Sequence, residues 1–466
     1  MTFPKTDTGM LNRKSRFNHM FLFSKTKRLW LLVPCMALLW LPSRAQDSTH
    51  LSLTEAVRRG LDSSKQVKLS EAKVTEALTK VEQASDKKLP TMKATFMASE
   101  AFIPTRTIQI DGLMKNAIKL PSTSMVSLGT FGINQAIFAG NRLKYAKQSA
   151  ELVKKIADLN VQGDKQDAAL AIVEAYINLY KIDENLRIVE QNLSDVQGRL
   201  RETVQFKDQG LATQNDVLRF QLQKANVELT RIDLENNRAV ANYAMDVLLG
   251  YPDQTVLKVD SVGHTADELP AMGDLIAKAL AQRAELKTYQ YQSQISEVNV
   301  RDIKAAELPE LGAGLSAYYI NPTKKFFPPA HNFLVPVTLG LNLSWNISNL
   351  YTSKHKVAEA QVQQAEANIG QSAAADRIRV TVSQDYHHYA QALERIRVLG
   401  TAVDQAREND RIMELKYKNQ LATTTDRIDA QTMLYQSLVN LELAKADAAD
   451  AYYHLLRSTG TLNQTL

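Results

Sequence analysis

The sequence predicts a mixed α/β membrane protein: an internally duplicated chain of long helical hairpins, with four strands contributing to a β-barrel shared between copies. Three observations point there. Two long windows, 122–251 and 337–466, contain no proline apart from their borders. A turn pattern from Gly210 to Leu218 recurs 210 positions later, from Gln420 to Ile428. Ahead of each window stand stretches in which apolar residues alternate with small polar ones.

The chain begins with a leader. Residues 1–45 carry eight basic residues against Asp7 alone, then an apolar run from Leu29 to Leu41, then Ser43-Arg44-Ala45. That order reads as a signal peptide cleaved after Ala45. The run is too short to cross a bilayer, which takes about 20 residues. Without the leader, the chain's +6 becomes 48 basic against 49 acidic residues. The basic excess therefore gives no support to a nucleic-acid role. The only cysteine, Cys35, lies inside the leader. It follows Val33-Pro34 rather than small residues, so lipidation is not expected, and the mature chain has no thiol chemistry. No later segment is long and apolar enough for a transmembrane helix. An exported chain of this kind is periplasmic or spans a membrane as a barrel.

The first repeat, 46–250, opens with an amphipathic helix ending at Leu89-Pro90, matched in the second repeat, 273–466, by one ending at Leu308-Pro309. Proline drives the chain into extended structure there. Strands are expected at Thr91–Phe102, Val126–Phe138, Leu311–Tyr319 and Val335–Ser348. The last alternates without an error, and the first two alternate poorly. Each repeat then enters a proline-free block. Proline inside a helix costs about 3 kcal/mol. Apolar residues recur every three or four positions, as at Leu170, Val173, Ile177 and Tyr180. A helix from Arg142 to Lys207 would reach about 100 Å. Ala157, Ala168, Ala169 and Ala171, with Ala373 to Ala375, let helices approach closely. Residues 251–272, with Pro252, Gly263 and Pro270, form the linker between repeats.

Two settings suit such strands: a soluble sheet on a core, or a membrane barrel spanned by about 9–11 residues per strand. Export, the uncharged polar face of the last strand and aromatics beside the loop (Tyr318, Tyr319, Phe326, Phe327, Phe333) favour the barrel. Four strands cannot close alone, since membrane barrels need about eight or more. The barrel must be shared between chains.

The sequence resembles the outer-membrane efflux protein (TolC-like) family from about Leu51 to Gly460. The resemblance rests on Leu51-Ser-Leu-Thr-Glu-Ala-Val, on Arg283-Ala-Glu-Leu-Lys, on the junctions near Phe138-Ala-Gly and Trp345-Asn-Ile, and on both turns. It implies a homotrimer with a 12-stranded barrel in the outer membrane. A helical tube crosses the periplasm, and the linker sits in a belt around its middle. The partners implied are a periplasmic adaptor, an inner-membrane transporter and outer-membrane lipid. By resemblance the turns are the periplasmic mouth. Asp426 and Asp429 would ring the pore constriction and favour cations. Gly210, Leu211, Asp216, Tyr417, Gln420 and Leu421 would gate the mouth or contact the adaptor. Gln420 stands where glycine is usual, and Ala422 where some members carry a gating arginine. The bare residues also allow a plainer role, because Asp after a Thr-rich turn caps a helix.

Nothing in the sequence supplies catalysis, a cofactor or a metal site. His387 and His388 point about 100° apart on a helix, and Gly312-Ala-Gly314 lies within a strand rather than before a helix. The expected function is the exit duct of a tripartite efflux system. Type I protein secretion and a periplasmic coiled-coil adaptor or scaffold are the alternatives.

Overall fold

The computed structural model describes residues 49–102, 104, 107–108, 118–119, 123–262, 269–322 and 334–462. The leader, Phe326, Phe327 and Phe333 lie outside them.

The order of helices and long strands is the same in the two halves. The first repeat runs β1 (Thr49–Leu51), α1 (Leu53–Ser63), α2 (Lys65–Asp86), β2 (Thr91–Phe102), the two-residue strands β3 (Thr107–Ile108) and β4 (Ile118–Lys119), β5 (Thr123–Phe138), α3 (Arg142–Asp208) and α4 (Gln214–Leu249). After β6 (Leu257–Val259), the second runs α5 (Met272–Gln282), α6 (Ala284–Ala305), β7 (Glu310–Pro322), β8 (Val337–Ser344), α7 (Asn349–Lys418) and α8 (Thr424–Thr459). Both returning helices have 36 residues and end on a left-handed glycine, Gly250 at φ 67° and Gly460 at φ 77°. No helix among the described residues is long and apolar enough to cross a membrane.

Two expectations need correction. The opening helix of each repeat is two helices. Ser64 ends α1, and its hydroxyl accepts from the Val67 amide to start α2. In the second repeat the break falls at Arg283, whose guanidinium reaches the Ser458 carbonyl and Glu285. The last strand is shorter than its alternation, because the Trp345 indole donates to the Glu307 carbonyl and Asn346 begins the turn into α7. Leu257–Val259 pairs in parallel with Thr49–Leu51, held by Asn242, which accepts from the Leu257 amide and donates to the Thr255 carbonyl.

That pairing sits over the main core. Leu51, Val57, Ile172, Tyr176, Met245 and Leu249 pack together there. The buried Tyr176 hydroxyl donates to the Leu51 carbonyl and accepts from the Asp260 amide. Burial of such apolar side chains contributes about 1.5–3 kcal/mol each, so this junction anchors both long helices of the first repeat and the end of α8. Alanines pack between helices elsewhere, with Ala374, Ala444 and Ala448 all buried.

The four long strands form one antiparallel sheet in the order β2-β5-β7-β8. Its register sorts the side chains. One face carries Leu339, Leu315, Ile133 and Met92 as a row across the strands, flanked by Val337, Ala317, Phe131 and Ala94. The other carries Gly340, Gly314, Asn134 and Thr91, then Thr338, Ser316, Gly132 and Lys93. None of the described side chains in these strands is buried, and Leu339, Leu341 and Leu343 are more than two-thirds exposed. Both edges, β2 and β8, lack a partner strand among the described residues.

Candidate functional site: the paired hairpin turns

The turn between α3 and α4 is built by local chemistry. Gly210 takes φ 76°. The Leu211 amide donates back to the Phe206 carbonyl and the Gly210 amide to the Lys207 carbonyl, closing the end of α3. Thr213 then caps α4: its hydroxyl accepts from the Asp216 amide, while the Asp216 carboxylate accepts from the Thr213 amide at 2.8 Å. This is a reciprocal capping box.

The turn between α7 and α8 repeats it bond for bond. The Leu421 amide donates to the Lys416 carbonyl and the Gln420 amide to the Tyr417 carbonyl. Thr423 and Asp426 form the second box, with the Thr423 amide 2.9 Å from the carboxylate. Gln420 holds the left-handed conformation, φ 58°, that Gly210 holds in the first turn. A side chain there costs about 1 kcal/mol, so the missing glycine has not changed the turn.

The structure brings the two turns together. Leu211, Ala212, Asp216, Tyr417, Gln420 and Thr423 line a shared cleft of about 340 Å³. The buried Thr424 hydroxyl reaches Asp216 across it. Burial alone would raise the Asp216 carboxyl, but hydrogen bonds from Thr213 and Thr424 outweigh it and hold it below the usual range. Asp426, bonded to the Thr423 side chain and amide, is also held low. Tyr417 lies 3.4 Å from the Thr203 hydroxyl and edge-on to the buried Phe220 ring. Leu211 and Leu421 are exposed at the turn apices. Asp426 and Asp429 do not line the cleft. They lie exposed, three residues apart at the start of α8. Asp426 is thus both a cap and a surface carboxylate, and neither Asp has an ion-pair partner among the described residues.

One cluster escaped the sequence reading. Arg427, almost fully buried, pairs with Asp410 and lies 4.0 Å from Glu414. Glu414 also receives Arg199 at 2.6 Å and Lys418 at 2.9 Å. These partners, Lys418 first, bring its carboxyl down to about 2. Arg199 bonds Glu202 as well, and the Tyr435 hydroxyl donates to Asp195. The cluster ties α3, α7 and α8 together just inside the turns. Its signal was available: Thr424, Arg427, Gln431 and Tyr435 follow the core phase of α8, so a charge at 427 points inward.

Comparison with known proteins agrees with this architecture. The model of the outer membrane efflux protein family matches residues 56–251. The outer membrane efflux protein BepC of Brucella suis is 26% identical over 360 residues, covering 74% of this chain and 75% of that protein. Outer membrane protein TolC of Escherichia coli K12 is 22% identical over 345 residues, covering 71% and 69%. Among solved structures, the outer membrane protein VceC of Vibrio cholerae superposes with a TM-score of 0.69 at 16% identity, covering 88% of this chain and 96% of that one. The protein is located in the outer membrane, with its helical hairpins extending into the periplasm. Residues 56–251 thus match the outer membrane efflux protein family, and the chain is similar to outer-membrane efflux channels over about three-quarters of its length.

Proposed function

We propose that this protein is the passive exit duct of a tripartite efflux system, acting as a homotrimer with a 12-stranded barrel. The sheet carries the reading. Among the described residues it has one largely apolar face, one largely polar face, no buried side chain and two unpaired edges. In water such a sheet would aggregate through those edges. In a bilayer the apolar face meets lipid and the edges pair with other copies. A periplasmic coiled-coil scaffold has no use for it. The relatives named as efflux proteins favour efflux, and no observation here singles out protein secretion.

In this reading the paired turns are the periplasmic mouth and the contact surface for an adaptor, which joins the duct to an inner-membrane transporter. Asp426 and Asp429 from three chains form a carboxylate ring. Converging carboxylates concentrate cations and bind multivalent ones. Gly210, Leu211, Asp216, Tyr417, Gln420 and Leu421 shape the closed mouth. The test is the purified protein in planar bilayers with a trivalent cation on the periplasmic side. Wild type should be blocked, and Asp426→Ala combined with Asp429→Ala should raise the half-blocking concentration about 100-fold or more. Unchanged block would place the constriction elsewhere, and recovery of the native protein in the osmotic-shock supernatant would sink the duct itself.

A further inference from the structure

The polar face of the sheet is interrupted by one apolar row. Met97 pairs with Leu128, Leu128 with Ile320, and Ile320 with Leu334. All four strand lines contribute, and all four residues are apolar. They sit on the face shared with Thr95, Thr130, Ser316 and Thr338, opposite the face that carries Phe96 and Tyr319. Met97 and Leu334 are more than half exposed. Large apolar side chains in register on a water-facing surface mark a contact site.

The same face carries an isolated cation. Lys93 lies four residues from Met97 on β2, about 13 Å along the strand at ~3.3 Å per residue. Lys93 has no ion-pair partner among the described residues. Glu310, a carboxylate further along this face, is neutralised by Arg142 at 3.1 Å. Between lysine and row lie the Thr95 and Thr130 hydroxyls, bonded to each other, and Tyr318. The order along the face is therefore cation, hydroxyl and aromatic, then aliphatic.

We propose that this face is a binding site for anionic amphiphiles on their way out. Lys93 takes the anionic group, and the row Met97, Leu128, Ile320 and Leu334 takes the apolar body. The inference rests on the shared-barrel reading, in which three copies repeat the site around the lumen. It names a substrate class for the duct: solutes with an apolar body of roughly 10–13 Å and one negative end. It also sets two opposite charge filters in series, carboxylates at the periplasmic mouth and lysines in the barrel.

The test uses the full-length protein in planar bilayers, with surfactants added below micellar concentration on the external side. Decyl sulfate should block at a lower concentration than decyltrimethylammonium, and inorganic sulfate should not block. Lys93→Gln should raise the half-blocking concentration of decyl sulfate about tenfold and leave that of decyltrimethylammonium unchanged. Met97→Thr should weaken both surfactants about tenfold. Unitary conductance checks assembly, and Leu334→Ser, at an exposed position, replaces Met97→Thr if that variant does not insert. Open channels without block, equal block by the two surfactants, or variants within about twofold of wild type overturn this inference and leave the duct standing. Absence of any channel overturns the duct and the inference with it.

Discussion

Arg427→Met keeps most of the side-chain volume and removes the cation paired with Asp410. The Arg427 side chain is 3% exposed and that of Asp410 17%. Removing one partner of a buried pair costs about 3–5 kcal/mol, because the other charge is left uncompensated. Asp410 keeps some contact with water, and Glu414 keeps Arg199 and Lys418, so the low end applies. A loss of ~3 kcal/mol corresponds to about a 150-fold change in the local opening equilibrium. Hydrogen exchange on the purified protein reads it directly. Amides between 406 and 430 should lose protection by about that factor, while those around Tyr176 should not change. Asp410→Asn in the same chain removes the orphaned charge and should restore protection to within about tenfold. Loss below about threefold in the single variant, or equal loss in the double variant, refutes the buried-pair argument. Acidity offers a control. Because the folded Glu414 carboxyl lies at about 2 rather than its ordinary 4.5, its stabilisation is complete above 4.5 and lost only as pH falls through that interval. The cluster should therefore survive at pH 5.

Gln420→Gly relieves a left-handed side chain and should stabilise the second turn by about 1 kcal/mol, whereas Gly210→Gln should destabilise the first by a similar amount. Both follow from the same exchange measurement, and equal effects of the same sign would show that backbone strain is not what distinguishes the turns. Asp246 is fully buried on α4 with one carboxylate oxygen lacking a hydrogen-bond partner. Burial, with help from Asp253, pushes its carboxyl up to about 6. The folded state then holds this proton more tightly than the unfolded one, so its contribution falls as pH rises from 3.8 to about 6 and stays low above. Asp246→Asn should add up to ~3 kcal/mol at pH 7.5 and almost nothing at pH 4. Thermal unfolding at the two pH values checks this, and an equal gain at both would assign the effect to packing.

Much of the fold was legible because its signals are local and repeated. Prolines bounded the helical blocks, and the Thr-x-x-Asp pattern marked both capping boxes. The strand alternation in the second repeat was clean because β7 and β8 place almost every apolar residue on one face. The first-repeat strands looked poorer for a reason now visible. Met97 and Leu128 fall on the polar side, in the row with Ile320 and Leu334. Periodicity alone reads such residues as noise, and only cross-strand register aligns them. The break at Arg283 was hidden because the carbonyl that fixes it, Ser458, comes from the far end of the chain, whereas the break at Ser64 rests on a local cap that apolar spacing does not register. Arg427 does not show in apolar periodicity, because near the turns the packed positions of α8 are polar.

The two turns share a backbone design but differ in what holds them. In the first, glycine accepts the left-handed conformation without strain, nothing lies within 4 Å of where its side chain would be, and Thr424 of the second turn adds one bond to Asp216. The second starts about 1 kcal/mol worse through Gln420. Its compensation is tertiary, since Arg427 sits four residues past the Thr423 cap and joins α8 to α7, and Arg199 joins α7 to α3. A locally closed turn moves as a rigid tip, whereas a turn held by a charge cluster shifts when the helices carrying the charges slide. An arginine at position 422 would act from the exposed apex. Arg427 instead acts from within the hairpin, where solvent does not screen it. Duplication has thus kept the geometry of the turn, while in the second copy a charge cluster reaching α3 of the first hairpin adds to what holds it.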